Sequence, residues 1–129
     1  MLSCADVAKL TLGVPFYGYE LNLENSTENK IGSAVNATSK TFGYFELCDK
    51  LRESTRTTVS GWEAPYAIKD DQWYNYDNYD SVAAKVSYAK EIGAGGVIIW
   101  SIESDDQTGK FCGQGKLPLM NAVVNVAQN

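Results

Sequence analysis

The sequence predicts an α/β architecture in which two parallel strands are joined by a helical crossover, with a long segment inserted after the first strand. Three runs carry that expectation. From Lys9 to Tyr17, Leu10, Leu12, Val14 and Phe16 alternate with Thr11, Gly13, Pro15 and Tyr17, the period of a strand that Pro15 and Gly18 bring to an end. Val82, Val86, Ala89 and Ile92 recur at helical spacing with Ala83 beside them, behind an Asp80 or Ser81 cap and before Gly93, a start and stop typical of a helix. Gly95 and Gly96 then open the apolar run Val97-Ile98-Ile99-Trp100, which Glu103, Asp105 and Asp106 close; such a run reads as a strand covered on both faces in a parallel sheet.

Between and after these runs the chain is read as follows. Residues 20 to about 40 are rich in Asn, Ser, Thr and Glu and predict a long surface excursion. Short aromatic and β-branched runs follow to about residue 77, the clearest being 65–69 and 72–76 about Asp70-Asp71, which predict a hairpin. A last helix is expected from Pro118, with Leu119, Val123 and Val126 inward. The order is therefore strand, insertion, helix, strand, helix, which packs naturally as two parallel strands with a right-handed crossover.

Composition narrows the chemistry. A chain of 129 residues is too short for a complete eight-stranded βα barrel, which takes about 250. Net charge −5 with 11 Lys plus Arg and no basic cluster gives no footprint for nucleic acid. No apolar run approaches the ~20 residues of a membrane span, and the first six residues turn polar too early for a signal peptide. With no histidine in the chain, the Ser-His-Asp triad, the Cys-His dyad and the common zinc sites lose their central member. The glycines at 93, 95 and 96 precede a strand, whereas a dinucleotide loop follows one, and Asp70, Asp71, Asp77 and Asp80 do not have calcium-loop spacing. No cofactor and no metal are expected.

Asn25-Ser26-Thr27 and Asn36-Ala37-Thr38 are N-glycosylation sequons. Together with a plausible cysteine pair they favour a secreted protein, and with no signal peptide that reading implies that an N-terminal part of the gene product precedes this chain. Glu103, Asp105 and Asp106 are the carboxylates best placed for glycoside chemistry, but acids after a strand are more often solvated loop residues or helix caps. Trp100, where the apolar run meets the polar loop, reads equally as core or as a half-exposed stacking platform.

The segments Lys9 to Gly18, Tyr44-Phe45-Glu46-Leu47-Cys48, Pro65-Tyr66 to Gln72-Trp73, Gly95-Gly96 to Trp100 and Phe111-Cys112-Gly113-Gln114-Gly115 resemble, in order and spacing, the C-terminal third of a glycoside hydrolase family 18 chitinase or chitinase-like lectin. The resemblance covers nearly the whole chain. It implies a partial TIM barrel comprising the last two βα units, with an inserted α+β chitinase insertion domain. Residues 1–19 would hold barrel strand seven, 20–78 the insertion domain, and 79–129 helix seven, strand eight and the terminal helix; the N-terminal barrel strands would be the missing partners.

By the same resemblance the ligands are chitin or N-acetylglucosamine oligosaccharides. Trp100 would be the floor of the central sugar subsite, Tyr17 a cleft-lining residue and Glu46 a carboxylate on the wall, while Cys48 and Cys112 would form a disulfide and Cys4 would stand alone. Three positions depart from the family: Tyr19 where Arg is common, Ile98 where Met is common, and Glu103 for Asp. The family's Asp-x-x-Asp-x-Asp-x-Glu acid motif is absent from these residues. The complete protein is then expected to hydrolyse β-1,4-linked N-acetylglucosamine by substrate-assisted retaining catalysis, or to be a non-catalytic lectin if the acid is degenerate; this chain alone is expected to be inactive.

Overall fold

A computed structural model describes residues 5–129; Cys4 lies outside the described residues. The fold is α/β and contains two sheets. Strands β1 (Thr11–Pro15) and β7 (Gly96–Trp100) form a parallel pair, and β2 (Tyr17–Leu23), β3 (Val35–Gly43), β4 (Thr55–Val59), β5 (Ala64–Lys69) and β6 (Gln72–Asn75) form an antiparallel sheet in the order β3-β2-β6-β5-β4. Helices α1 (Tyr44–Lys50), α2 (Tyr79–Glu91) and α3 (Pro118–Gln128) complete it. The expected order of strand, insertion, helix, strand, helix is present as β1, the second sheet, α2, β7 and α3.

Alternation along β1 and β7 gives their pair one covered and one open face. Val14 and Phe16 are fully buried with Val82, Val86, Leu119 and Val123 of α2 and α3, and Val97 and Ile99 pack on the same cluster. The opposite face carries Gly13, Pro15, Ile98 and Trp100, in register as Gly13↔Ile98 and Pro15↔Trp100. Ile98 is 59% and Trp100 73% exposed. The expectation of a strand covered on both faces is thus corrected: helices cover one side only, because among the described residues no element reaches the other. Leu10, expected on the buried face, precedes β1 and is exposed.

The second sheet is likewise two-faced. Leu47 and Leu51 from α1 and the turn after it pack on Ala67 and Tyr74, so α1 covers the face that carries Gly18, Glu20, Tyr74 and Ala67. Glu20 is buried on that face but bonded by Lys50 Nζ at 2.9 Å, with Lys40 Nζ at 3.6 Å. Burial raises its pKa, but Lys50, Tyr74 and Lys40 together outweigh burial and hold it below the usual range. Gly18 is required by contact, since a Cβ there would stand 2.3 Å from the Asn75 carbonyl oxygen and 2.8 Å from Leu47.

The polar stretch from 20 to 40 is not a mere surface excursion. About half of it lies in β2 and β3, paired from Tyr17↔Gly43 to Leu23↔Val35 with an irregularity between Leu21 and Leu23. The hairpin about Asp70-Asp71 forms as expected, with Ile68↔Trp73 and Lys69↔Gln72 in register and Asp70 at φ 55°. Helix α2 starts two or three residues earlier than expected: Asn78 is the cap, accepting from Ser81 N at 2.9 Å while Ser81 Oγ accepts from Asn78 N. Gly93, at φ 71°, ends it.

Candidate functional site

The open faces of the two sheets meet at one end of β1. Phe16 N donates to Trp100 O at 2.9 Å, and Tyr44 N, at the start of α1, donates to Phe16 O at 2.9 Å. The C-terminal ends of β1 and β7 and the first turn of α1 therefore converge on Phe16. Tyr17 and Tyr19 continue the parity of Gly13 and Pro15 and lie on the sheet face opposite α1. Their rings pack edge to face with centroids 5.7 Å apart, and Tyr19 N donates to Asn75 Oδ1 at 3.2 Å. Interaction with the Tyr19 phenol, hydrogen-bonding first and charge second, raises the Tyr17 pKa, so Tyr17 stays a neutral hydroxyl.

Trp100 lies at the strand's C-terminal end beside Pro15 and is joined to Ser101 by a cis peptide. It is not core in this chain, and an exposed indole suits stacking on the C–H face of a sugar ring. Glu46 lies in the first turn of α1, exposed, and its Oε2 accepts from Gly43 N at 2.8 Å. One carboxylate oxygen is thereby engaged as a helix cap, leaving Oε1 for any further contact. Tyr17 and Tyr19 also line a groove of about 280 Å³, whose other wall is the β4–β5 turn. Trp62, 83% exposed on that turn, is an aromatic that sequence reasoning passed over; the turn residues Ser60 and Gly61 before it are the available signal.

The acids that follow Trp100 do not form a catalytic pair. Glu103 is exposed, and its own backbone N–H and the Ser101 hydroxyl hold its carboxyl below the usual range, which suits an anion and not a proton donor. Asp105 and Asp106 are fully buried, so of the two expectations for acids after a strand, solvated loop residue or helix cap, the first fails for both and the second holds for Asp105. Asp105 accepts from Asp106 N, Leu119 N and Met120 N at 2.9, 3.3 and 2.9 Å, so it caps α3 from a distance where Leu117, at φ 52°, offers no side-chain cap. Burial raises its pKa.

Asp106 accepts from Gly109 N, Phe111 N and Cys112 N at 2.8, 2.9 and 2.9 Å, and from Thr108 Oγ1 at 3.2 Å. Burial opposes its charge, but these donors prevail and lower its pKa. The loop so organised presents Cys112 to Cys48, and the two form a disulfide with Cα atoms 5.0 Å apart. The bridge joins α1 to the loop after β7. Asn25 and Asn36 of the two sequons are both exposed, at the outer end of the β2–β3 pair.

Residues 2–105 match the model for glycosyl hydrolases family 18. The chain belongs to that family. It is 38% identical over 125 residues to an endochitinase of Brugia malayi, covering 89% of this chain and 25% of the relative. It is 36% identical over 124 residues to human chitinase-3-like protein 2, covering 89% and 32%. The chain thus spans about a quarter to a third of the length of these relatives. Among solved structures, human YKL-39, a pseudo-chitinase with retained chitooligosaccharide binding, superposes with TM-score 0.88 at 33% identity over 96% of this chain and 36% of that one. The Ostrinia furnacalis Group IV chitinase in complex with allosamidin gives 0.87 at 37% over 94% and 35%.

Proposed function

We propose that this chain is part of the sugar-binding cleft of a chitinase-like protein that takes β-1,4-linked N-acetylglucosamine oligosaccharides. The observation that carries this reading is the exposed indole of Trp100 at the end of β7, on open surface continuous with Tyr17, in a family whose member YKL-39 retains chitooligosaccharide binding. Trp100 serves as the floor on which a sugar ring stacks, Tyr17 as a neutral hydrogen-bonding wall residue, and Glu46 as a carboxylate whose free oxygen reaches the sugar. Residues 1–19, 20–78 and 79–129 then divide into a barrel strand, an insertion domain and the last barrel units. The first boundary is crossed by β2, since the change of sheet falls at Phe16. The open face of β1 and β7 is the one that the other barrel strands cover or leave as the cleft.

Hydrolysis, in this reading, is a property of the complete protein. Its acid comes from a segment other than this one, because Glu103, Asp105 and Asp106 have the wrong protonation or accessibility and the acid motif is absent from the sequence. A substrate-assisted retaining mechanism suits an enzyme that supplies one acid and lets the acetamido group attack. Similarity to a pseudo-chitinase supports a second reading as an oligosaccharide-binding lectin, in which the acid of the other segment is degenerate. Secretion, with sugars on Asn25 and Asn36, agrees with the disulfide.

The test is Trp100→Ala in the complete protein, with titration of tetra-N-acetylchitotetraose by calorimetry. Loss of a stacking platform is expected to weaken binding by about 1–3 kcal/mol, using base–aromatic stacking as the guide. An unchanged dissociation constant would remove Trp100 from the site. Hydrolysis of the same oligomer by wild type separates the two readings.

A further inference from the structure

A second cavity, of about 260 Å³, lies between α1, the β4–β5 edge and the loop that carries Cys112. It belongs to the face of the sheet covered by α1, since Arg56 and Thr58 pair with Ala67 and Pro65, and so lies opposite Tyr17 and Tyr19. Its lining combines Arg52 and Arg56 with Thr58, Tyr76, Asn78 and Gln114, and contains no Asp or Glu. In a chain of net charge −5, a cavity whose only charged walls are guanidinium groups is an electrostatic exception.

Several donors in it are oriented and keep an N–H without a protein partner among the described residues. Arg56 is fixed by two bonds to Leu51 O, from Nε at 3.2 Å and from Nη2 at 2.8 Å, which leaves Nη1 free, and it has no carboxylate within 4 Å among the described residues. Asn78 uses Oδ1 to cap α2, and Gln114 uses Oε1 to accept the Tyr44 hydroxyl at 2.9 Å; neither amide nitrogen has a protein partner among the described residues. Arg52 is held from outside the cavity by Asp49 at 2.7 Å and donates to Phe111 O at 3.4 Å. The charge of Arg56 is felt by both phenols, lowering the pKa of Tyr44 and Tyr76 against the larger upward effect of burial.

We propose that this cavity is an oxyanion site that takes a sulfate or phosphate group, free or as the ester of a sugar-sized molecule. A guanidinium fork matches the edge of such a group, and fixed N–H donors around it pay no reorganisation on binding. The volume exceeds what one ion fills and falls just short of the range for drug-sized ligands, which leaves room for a single ring behind the anion.

The test uses the full chain, with inorganic sulfate, N-acetylglucosamine 6-sulfate and unsulfated N-acetylglucosamine titrated by calorimetry at constant ionic strength. Saturable binding of sulfate is expected, weakened about tenfold or more by Arg56→Gln. Arg52→Gln, whose charge is already engaged by Asp49, is expected to weaken it less while leaving the fold intact, as read by near-UV circular dichroism. Tighter binding of the sulfated sugar than of sulfate supports an ester ligand; equal binding supports the free ion. Absence of saturable sulfate binding to wild type, or equal affinity in wild type and both folded variants, would overturn the proposal.

Discussion

Asp106→Asn is the substitution that most directly probes the organisation of the loop behind Trp100. The side chain keeps its shape, and an amide oxygen facing Gly109 N and Thr108 Oγ1 keeps two of the four bonds. The amide nitrogen then confronts Phe111 N and Cys112 N, donor against donor, at a side chain that is itself fully buried. Each stranded backbone donor costs about 1–3 kcal/mol, and the two retained bonds fall from charge-assisted to neutral strength. The sum is about 3–5 kcal/mol, a large part of the 5–15 kcal/mol typical of a domain. Urea unfolding of the complete protein, followed by tryptophan fluorescence, reads this directly. With an m-value of about 2 kcal/mol/M, the midpoint falls by about 2 M at unchanged slope. Glu103→Gln, on the exposed neighbour, is the control and changes stability by less than about 0.5 kcal/mol. A loss below 1 kcal/mol for Asp106→Asn would refute the reasoning, since it would mean that the loop finds its conformation without the carboxylate.

Acid titration separates the two buried aspartates by sign. Asp106, with its pKa lowered in the fold, contributes stability that is fully present above the unfolded value of about 3.9 and is lost as pH falls through the folded value; the gap between wild type and Asp106→Asn therefore narrows on acidification. Asp105, with its pKa raised by burial, contributes stability present below the unfolded pKa and lost as pH rises through the folded one, so wild type declines relative to Asp105→Asn over that rise; parallel pH curves for the two variants would contradict this. Cys48→Ser with Cys112→Ser opens a loop with a sequence separation of 64 and is expected to cost about 4 kcal/mol in the chain-entropy model, seen as a lower thermal midpoint. Gly18→Ala drives a methyl into the Asn75 carbonyl and is expected to cost at least 1–3 kcal/mol; wild-type stability there would show that β2 and β6 can part freely.

How much of this was legible in the sequence follows from where each element lies. The runs of β1, α2, β7 and α3 have the right period because one face of each meets the shared cluster about Phe16 and Val82. Strands β3 and β4 are edge strands, and Thr55, Arg56, Thr57 and Thr58 are all exposed; a polar edge has no apolar alternation to read, so residues 20 to 40 looked like loop. Helix α1 is seven residues long, too short for a periodicity argument, although Tyr44, Leu47 and Leu51 have the spacing. At the candidate site, the place of Trp100 at the end of β7 was legible from the apolar run before it, whereas the expectation for Tyr17 rested on the family resemblance. The burial of Asp105 and Asp106 was not, because their partners are backbone N–H groups up to 15 residues away, which leave no mark on composition.

The disulfide between Cys48 and Cys112 has a mechanical consequence. Helix α1, which carries Glu46, is bonded through Tyr44 to the end of β1 and bridged covalently to a loop that Asp106 anchors in turn. Helix α1 is thus riveted at two points, to the end of β1 and to the loop after β7. If the proposed cleft is formed by these elements, its wall would not work as a jaw, and a polymer would arrive and leave along its length or from above, past a gauge of fixed width.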